Sequence, residues 1–162
     1  MQAIRELADL IARHTPIEGM HRSAVPGTWL IRSDRTTEPL QVVHAPAVCI
    51  IAQGAKLVSL AGNDFHYDPA KFLVVSIDLP VTGCVTQASK EEPYLCLRVD
   101  LDPHALAALD LELPSPRAPR ARGAASTSGL FLREATPGLA DVAAGLERLP
   151  VAGRFLAGQQ NT

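Results

Sequence analysis

The chain has 162 residues, of which 47% are hydrophobic and 20% charged, with a net charge of −2. That length and apolar content suit one domain, or one domain with appendages, and exclude a disordered chain. The near-neutral balance gives no basic footprint for DNA or RNA, and no apolar run reaches membrane-spanning length.

Ile4, Leu7, Ala8, Leu10 and Ile11 form an apolar stripe at helical spacing, with Arg5, Glu6, Asp9 and Arg13 on the wet side. Pro16 and Gly19 close this helix, so residues 1–20 read as an appendage that covers a sheet or meets a partner. With Arg5, Glu6 and Asp9 inside its apolar pattern the start shows no secretory signal, and a reducing cytoplasm is the expected compartment. Gly27–Arg32 alternates as a first strand, and Ser33–Pro39 breaks the pattern. Ala47–Gln53, Lys56–Ala61, Phe72–Ile77 and Tyr94–Val99 are then short apolar runs of strand length between turn signals. The turns are Gln53-Gly54, Gly62-Asn63-Asp64 and Asp68-Pro69, with Pro80 and Gly83 bracketing another before Cys84–Gln87. Such a series predicts an antiparallel barrel or sandwich, and a closed barrel removes exposed edges.

Beyond Asp100 the period changes. Asp102 and Pro103 open a short helix over residues 102–110, so the β domain spans 21–112. Residues 113–125 hold three prolines and three arginines and read as a solvated linker. Residues 126–162 read as helical: one helix near Thr127–Glu134, another opened by Pro137. In the latter Leu139, Val142, Leu146 and Leu149 recur at helical spacing, and the stripe needs the barrel, the first helix or another copy as its partner.

Chemistry-bearing motifs are scarce. There is no HExxH, GxSxG, P-loop or dinucleotide fingerprint, and the acids Glu91-Glu92 sit at a loop. His44 and His66 lack a third strong ligand, so no metal and no cofactor is expected, and no catalytic residue is assigned. Cys49, Cys84 and Cys96 are odd in number and do not have zinc-knuckle spacing; their plainest role is as small buried hydrophobes. The strand Tyr94–Asp100 is the best functional candidate. One face carries Leu95, Leu97 and Val99; the other carries Tyr94, Cys96, Arg98 and Asp100, a phenol, a thiol, a guanidinium and a carboxylate. Turned inward, that mixed face makes a pocket with a few directing groups, and Arg98 is placed to stabilise a Cys96 thiolate able to add to an aldehyde.

From Trp29 to Leu106 the sequence resembles the N-terminal domain of AraC-type transcription regulators. The resemblance is carried in order by Ala47-Val48-Cys49-Ile50-Ile51-Ala52-Gln53-Gly54-Ala55-Lys56, Tyr67-Asp68-Pro69, Phe72 to Val81, and Pro93 to Pro103. It implies a mainly β, cupin-like double-stranded β-helix (a jelly-roll barrel) with N-terminal and C-terminal helical additions. It also implies a domain that senses a small-molecule effector, dimerises, or both. DNA binding in such regulators belongs to a separate C-terminal domain with two helix-turn-helix units, and no Arg-rich pair of recognition helices follows Leu149.

The expectation is therefore a non-enzymatic regulatory domain and a homodimer, with no membrane partner. Pocket residues are expected to be Trp29, Phe72, Tyr94, Cys96 and Arg98, and dimer-seam residues Val142, Leu146 and Leu149. The rivals are a small cupin enzyme, an isomerase or dioxygenase, and a purely structural dimerisation module.

Overall fold

A computed structural model describes residues 2–102, 104, 126–127 and 129–148. The short helix expected within 102–110 lies outside these residues but for Asp102 and His104, and the linker 113–125 and Leu149 lie wholly outside them. Helix α1 runs Gln2–His14. Nine strands follow: β1 Gly19–Arg22, β2 Thr28–Ser33, β3 Leu40–His44, β4 Ala47–Gln53, β5 Ala55–Leu60, β6 Asn63–Tyr67, β7 Lys71–Val75, β8 Leu79–Gln87 and β9 Tyr94–Asp100. Then come β10 Ser126–Thr127, β11 Leu130–Glu134 and helix α2 Pro137–Arg148.

The strands form two antiparallel sheets. One has seven strands in the order β1-β2-β9-β4-β7-β11-β10; the other has four, β3-β8-β5-β6. Neither sheet closes, since β1 and β10 are the edges of the first and β3 and β6 the edges of the second. The expected jelly-roll barrel is thus corrected to a mixed α/β arrangement: a helical layer, a seven-stranded sheet and a four-stranded sheet. Closure is one way to protect edges; here the edges are left as short strands of two to five residues instead.

Two apolar clusters hold the layers together. Between the sheets lie Cys49, Ile51, Val58, Phe65, Tyr67, Leu73, Val75, Val81, Val85, Tyr94 and Cys96 among others. Between the seven-stranded sheet and the helices lie Leu7, Ile11, Leu30, Ile50, Leu95, Leu97, Ala143 and Ala144. The two-residue period of each strand sorts its side chains between these clusters: on β9, Leu95 and Leu97 go to the helices, Tyr94 and Cys96 to the opposite sheet.

The helix stripe at Ile4, Leu7, Ala8, Leu10 and Ile11 is buried. The end of α1 is tied down by Thr15, whose hydroxyl donates to the Ile11 carbonyl at 2.7 Å while its own carbonyl accepts from Arg32 Nη1 at 3.0 Å. Helix α2 opens as its sequence suggests: the Thr136 hydroxyl accepts from the Leu139 amide at 3.3 Å, with Pro137 at the first helical position.

Three local expectations need correcting. Leu130–Glu134 is a strand paired with β7, not a helix, because its alternation puts Leu130 and Leu132 into the sheet-to-sheet core. Leu79–Gln87 is one continuous strand rather than a turn followed by a strand. Pro80 sits near its start, facing Val43 of an edge strand, where a missing donor costs little. The link between β5 and β6 is the two-residue turn Ala61-Gly62, with φ of 49° and 80°, so Asn63 and Asp64 belong to the strand.

Candidate functional site

The mixed face of β9 points into the space between the sheets. It grades from dry to wet along the strand. Tyr94 and Cys96 are 2% and 1% exposed, while the side chains of Arg98 and Asp100 are 20% and 40% exposed. The strand register extends the arrangement: Ser33, Ile31 and Trp29 of β2 stand opposite Tyr94, Cys96 and Arg98.

At the dry end, Cys49 from β4 and Tyr67 from β6 join Tyr94 and Cys96 in one buried cluster. His44 closes it from the edge of the four-stranded sheet, its Nε2 3.8 Å from Cys49 Sγ. His44 Nδ1 lies 2.7 Å from the Ala45 carbonyl, which can only accept, so Nδ1 carries the proton. In the neutral ring Nε2 is then the acceptor facing the Cys49 thiol. The Tyr94 hydroxyl is buried with no hydrogen-bond partner among the described residues. Tyr67 and the Cys96 thiol are its polar neighbours and act on it as weak hydrogen-bonding partners, short of the distance and angle of a formed bond.

The thiols are electrostatically unequal. Cys96 is pulled below the usual cysteine range, first because Cys49 donates to its sulfur, with burial opposing, then by Tyr94, Lys56 and Arg98. Cys49 is pushed well up, first by its role as donor to Cys96 and then by burial, with His44 acting the other way. Burial is the chief reason that both tyrosines are held neutral.

Lys56 was not legible as a site residue. It shares the inward face of β5 with Val58 and is half-buried. Gly83 on β8 leaves room for it: a Cβ there would meet Lys56 Cε at 3.4 Å. Among the described residues Lys56 makes no ion pair. Its field and that of Arg98 therefore reach the Cys96 thiol from opposite sheets. Cys49, Tyr67 and His44 were likewise missed as a group, since they come together only through strand pairing.

At the wet end, Asp100 accepts from Trp29 Nε1 and from Arg98 Nε, each at 2.9 Å. Arg22 lies over the Trp29 ring at 5.2 Å. Arg22, Trp29 and Asp100 edge a cleft of about 310 Å³ walled by Val25, Pro26 and Gly27. Asp100→Ala is expected to cost no more than about 1 kcal/mol, since the pair is partly solvated. It should nonetheless free the indole, read as a shift in the fluorescence of Trp29, the one tryptophan in the sequence. An unchanged spectrum would mean the carboxylate does not position that ring.

Of the five pocket candidates, Tyr94 and Cys96 share the dry end of this face, and Trp29 and Arg98 stand opposite each other at its wet end. Phe72 stands apart: it packs against the helix-facing cluster, on the other side of the seven-stranded sheet. Val142 and Leu146 fall on α2, whose Ala143 and Ala144 face α1 and the sheet. His44 and His66 lie on β3 and β6, opposite edges of one sheet. Among the described residues no three His, Cys, Asp or Glu side chains converge as a metal ion would require, and no helix is long and apolar enough to cross a membrane.

The family follows from the sequence match: residues 24–151 fit the AraC-type transcriptional regulator N-terminus, and the chain belongs to that family. It is a regulatory domain for effector sensing or dimerisation in an AraC-family transcription regulator. No curated protein matches the chain. The crystal structure of an apo ToxT variant from Vibrio cholerae is similar in fold, with a TM-score of 0.52 and 10% identity over 78% of this chain. The match covers 48% of that protein, so this chain spans about half the length of the ToxT chain.

Proposed function

We propose that this domain senses a small carbonyl compound, an aldehyde, admitted between the sheets past Trp29 and Arg98 and held at Tyr94 and Cys96. The observation that carries this reading is the buried Tyr94 hydroxyl, which makes no hydrogen bond of full distance and angle, beside a thiol held below its usual range. A buried polar group in that state costs about 1–3 kcal/mol, which a guest able to accept its proton would recover. The Cys96 sulfur adds to the carbonyl carbon; the C–S bond forms and the carbonyl π pair moves to oxygen. The oxygen takes one proton, so thiol plus aldehyde becomes a hemithioacetal and nothing is lost. Lys56 and Arg98 provide the positive field in which that oxygen develops charge.

The domain works without turnover, metal or cofactor, as part of a cytoplasmic homodimer whose seam includes Val142, Leu146 and Leu149. A guest changes the dimer only through different affinities for its two arrangements. The change is passed to DNA by a separate C-terminal DNA-binding domain.

Thermal unfolding with a panel of small aldehydes tests the reading. The wild-type midpoint should rise with aldehyde, and Cys96→Ala should lose that rise. Without aldehyde, Tyr94→Phe should be more stable than wild type by about 1 kcal/mol, because it deletes the orphaned hydroxyl. No shift in wild type removes the aldehyde, and an undiminished shift in C96A removes the covalent step.

A further inference from the structure

Cys49 and Cys96 lie on adjacent strands, β4 and β9, on the face turned toward the four-stranded sheet. Cys49 is in register with Arg98 and Cys96 with Ile51, so the two thiols are diagonal neighbours across the ladder. Both are free and buried. Their surroundings exceed what packing requires. His44 presents an acceptor nitrogen 3.8 Å from Cys49 Sγ, and Tyr94 carries a buried hydroxyl that makes no hydrogen bond of full distance and angle. Two small hydrophobes would need neither a base nor a donor beside them.

We propose that Cys49 and Cys96 form a modification site at which hydroperoxides close a reversible intrachain disulfide. This shares a cluster with the sensing reading but needs no guest and does not rest on it. The Cys96 sulfur attacks the terminal oxygen of the hydroperoxide; the S–O bond forms and the O–O bond breaks. The leaving oxygen takes a proton and departs as alcohol, or as water from hydrogen peroxide. Tyr94 is the donor at hand for that oxygen, and the proton released by the Cys96 thiol replaces the one it gives. The Cys49 sulfur then attacks the Cys96 sulfur; the S–S bond forms, the S–O bond breaks, and the departing hydroxyl leaves as water with the Cys49 proton, received first by His44 Nε2. Two thiols and one hydroperoxide give one disulfide, one alcohol and one water.

The depressed Cys96 thiol suits the attacking role, and the raised Cys49 thiol the resolving one. Diagonal positions lie about 7–8 Å apart, beyond the roughly 6.8 Å that a relaxed bridge spans, so closure draws β4 and β9 together. A bridge made under strain is a readily reduced one. It also consumes the thiol that an aldehyde would use.

The test uses the whole chain carrying Cys84→Ala. Cys84, between the inward Gly83 and Val85 on β8, is partly exposed and is the third thiol. Folded protein is treated with hydrogen peroxide and its intact mass measured. The expected result is loss of two hydrogen atoms in a monomeric chain, restored by dithiothreitol. Adding Cys49→Ser should replace the bridge with a dimedone-trappable sulfenic acid on Cys96. An unchanged mass, or oxygen addition without a bridge while both thiols are present, overturns the proposal. An aldehyde response that survives alongside that failure would leave the sensing reading standing alone, and the reverse pair of results would do the opposite.

Discussion

Gly54→Val is expected to destabilise the fold by about 3–5 kcal/mol, combining backbone strain with overpacking. Gly54 joins β4 of one sheet to β5 of the other, with φ at +87°. A Cβ there would sit 2.6 Å from the Gln87 carbonyl oxygen and 3.0 Å from Tyr94 Cα. Both are backbone atoms and cannot swing aside, so β8 or β9 must move, and with it the residue that the sensing proposal depends on. Gly62 makes the comparison. Its φ is +80° but nothing lies within 4 Å of an added Cβ. Gly62→Ala should therefore show conformational strain alone, about 1 kcal/mol. Urea unfolding followed by Trp29 fluorescence checks both; equal costs would refute the steric account of Gly54.

Ile11→Asp should have a comparable effect through another mechanism. Ile11 is fully buried between α1 and the seven-stranded sheet. The change gives up about 1.5–3 kcal/mol of apolar burial and places a carboxylate where water is excluded. The cheaper outcome for the molecule is to release α1. The helix-facing cluster and the sheet-to-sheet cluster are separate sets of side chains on opposite faces of one sheet. Hydrogen exchange should accordingly rise over residues 2–14 far more than over β5, β6 and β8. Equal loss of protection in both regions would show that the two clusters unfold as one unit.

Much of the site-bearing strand was legible because its two faces differ in chemistry. Leu95 and Leu97 against Tyr94 and Cys96 is an alternation that burial enforces, and both faces prove dry at that end. Ala47–Gln53 reads as central because it is apolar nearly throughout, and β4 does lie inside its sheet, between β9 and β7. Leu40–His44 escaped notice: its Leu40, Val42 and Val43 are exposed at an edge, so no inward face stamps a period on it. Leu130–Glu134 misled because five residues with two leucines fit a helix as well as a strand, and only pairing with β7 decides. Closure was misjudged for a related reason. Whether the first and last strands of a sheet meet is a property of the whole assembly, and no local pattern encodes it. Lys56 was hidden because the glycine that makes room for it lies on β8, distant in sequence.

The position of β9 has a consequence for how the molecule is made. This strand lies between β2 and β4, both of which precede it in the chain. During synthesis its two neighbours emerge from the ribosome with nothing yet to separate them, each offering an unsatisfied row of amides and carbonyls. Until residues 94–100 arrive, the nascent chain is open to mispairing and to capture by other chains, and such non-local pairing is slow to form. The segment bearing Tyr94 and Cys96 is thus also the keystone: assembly waits on the same stretch that recognition would use.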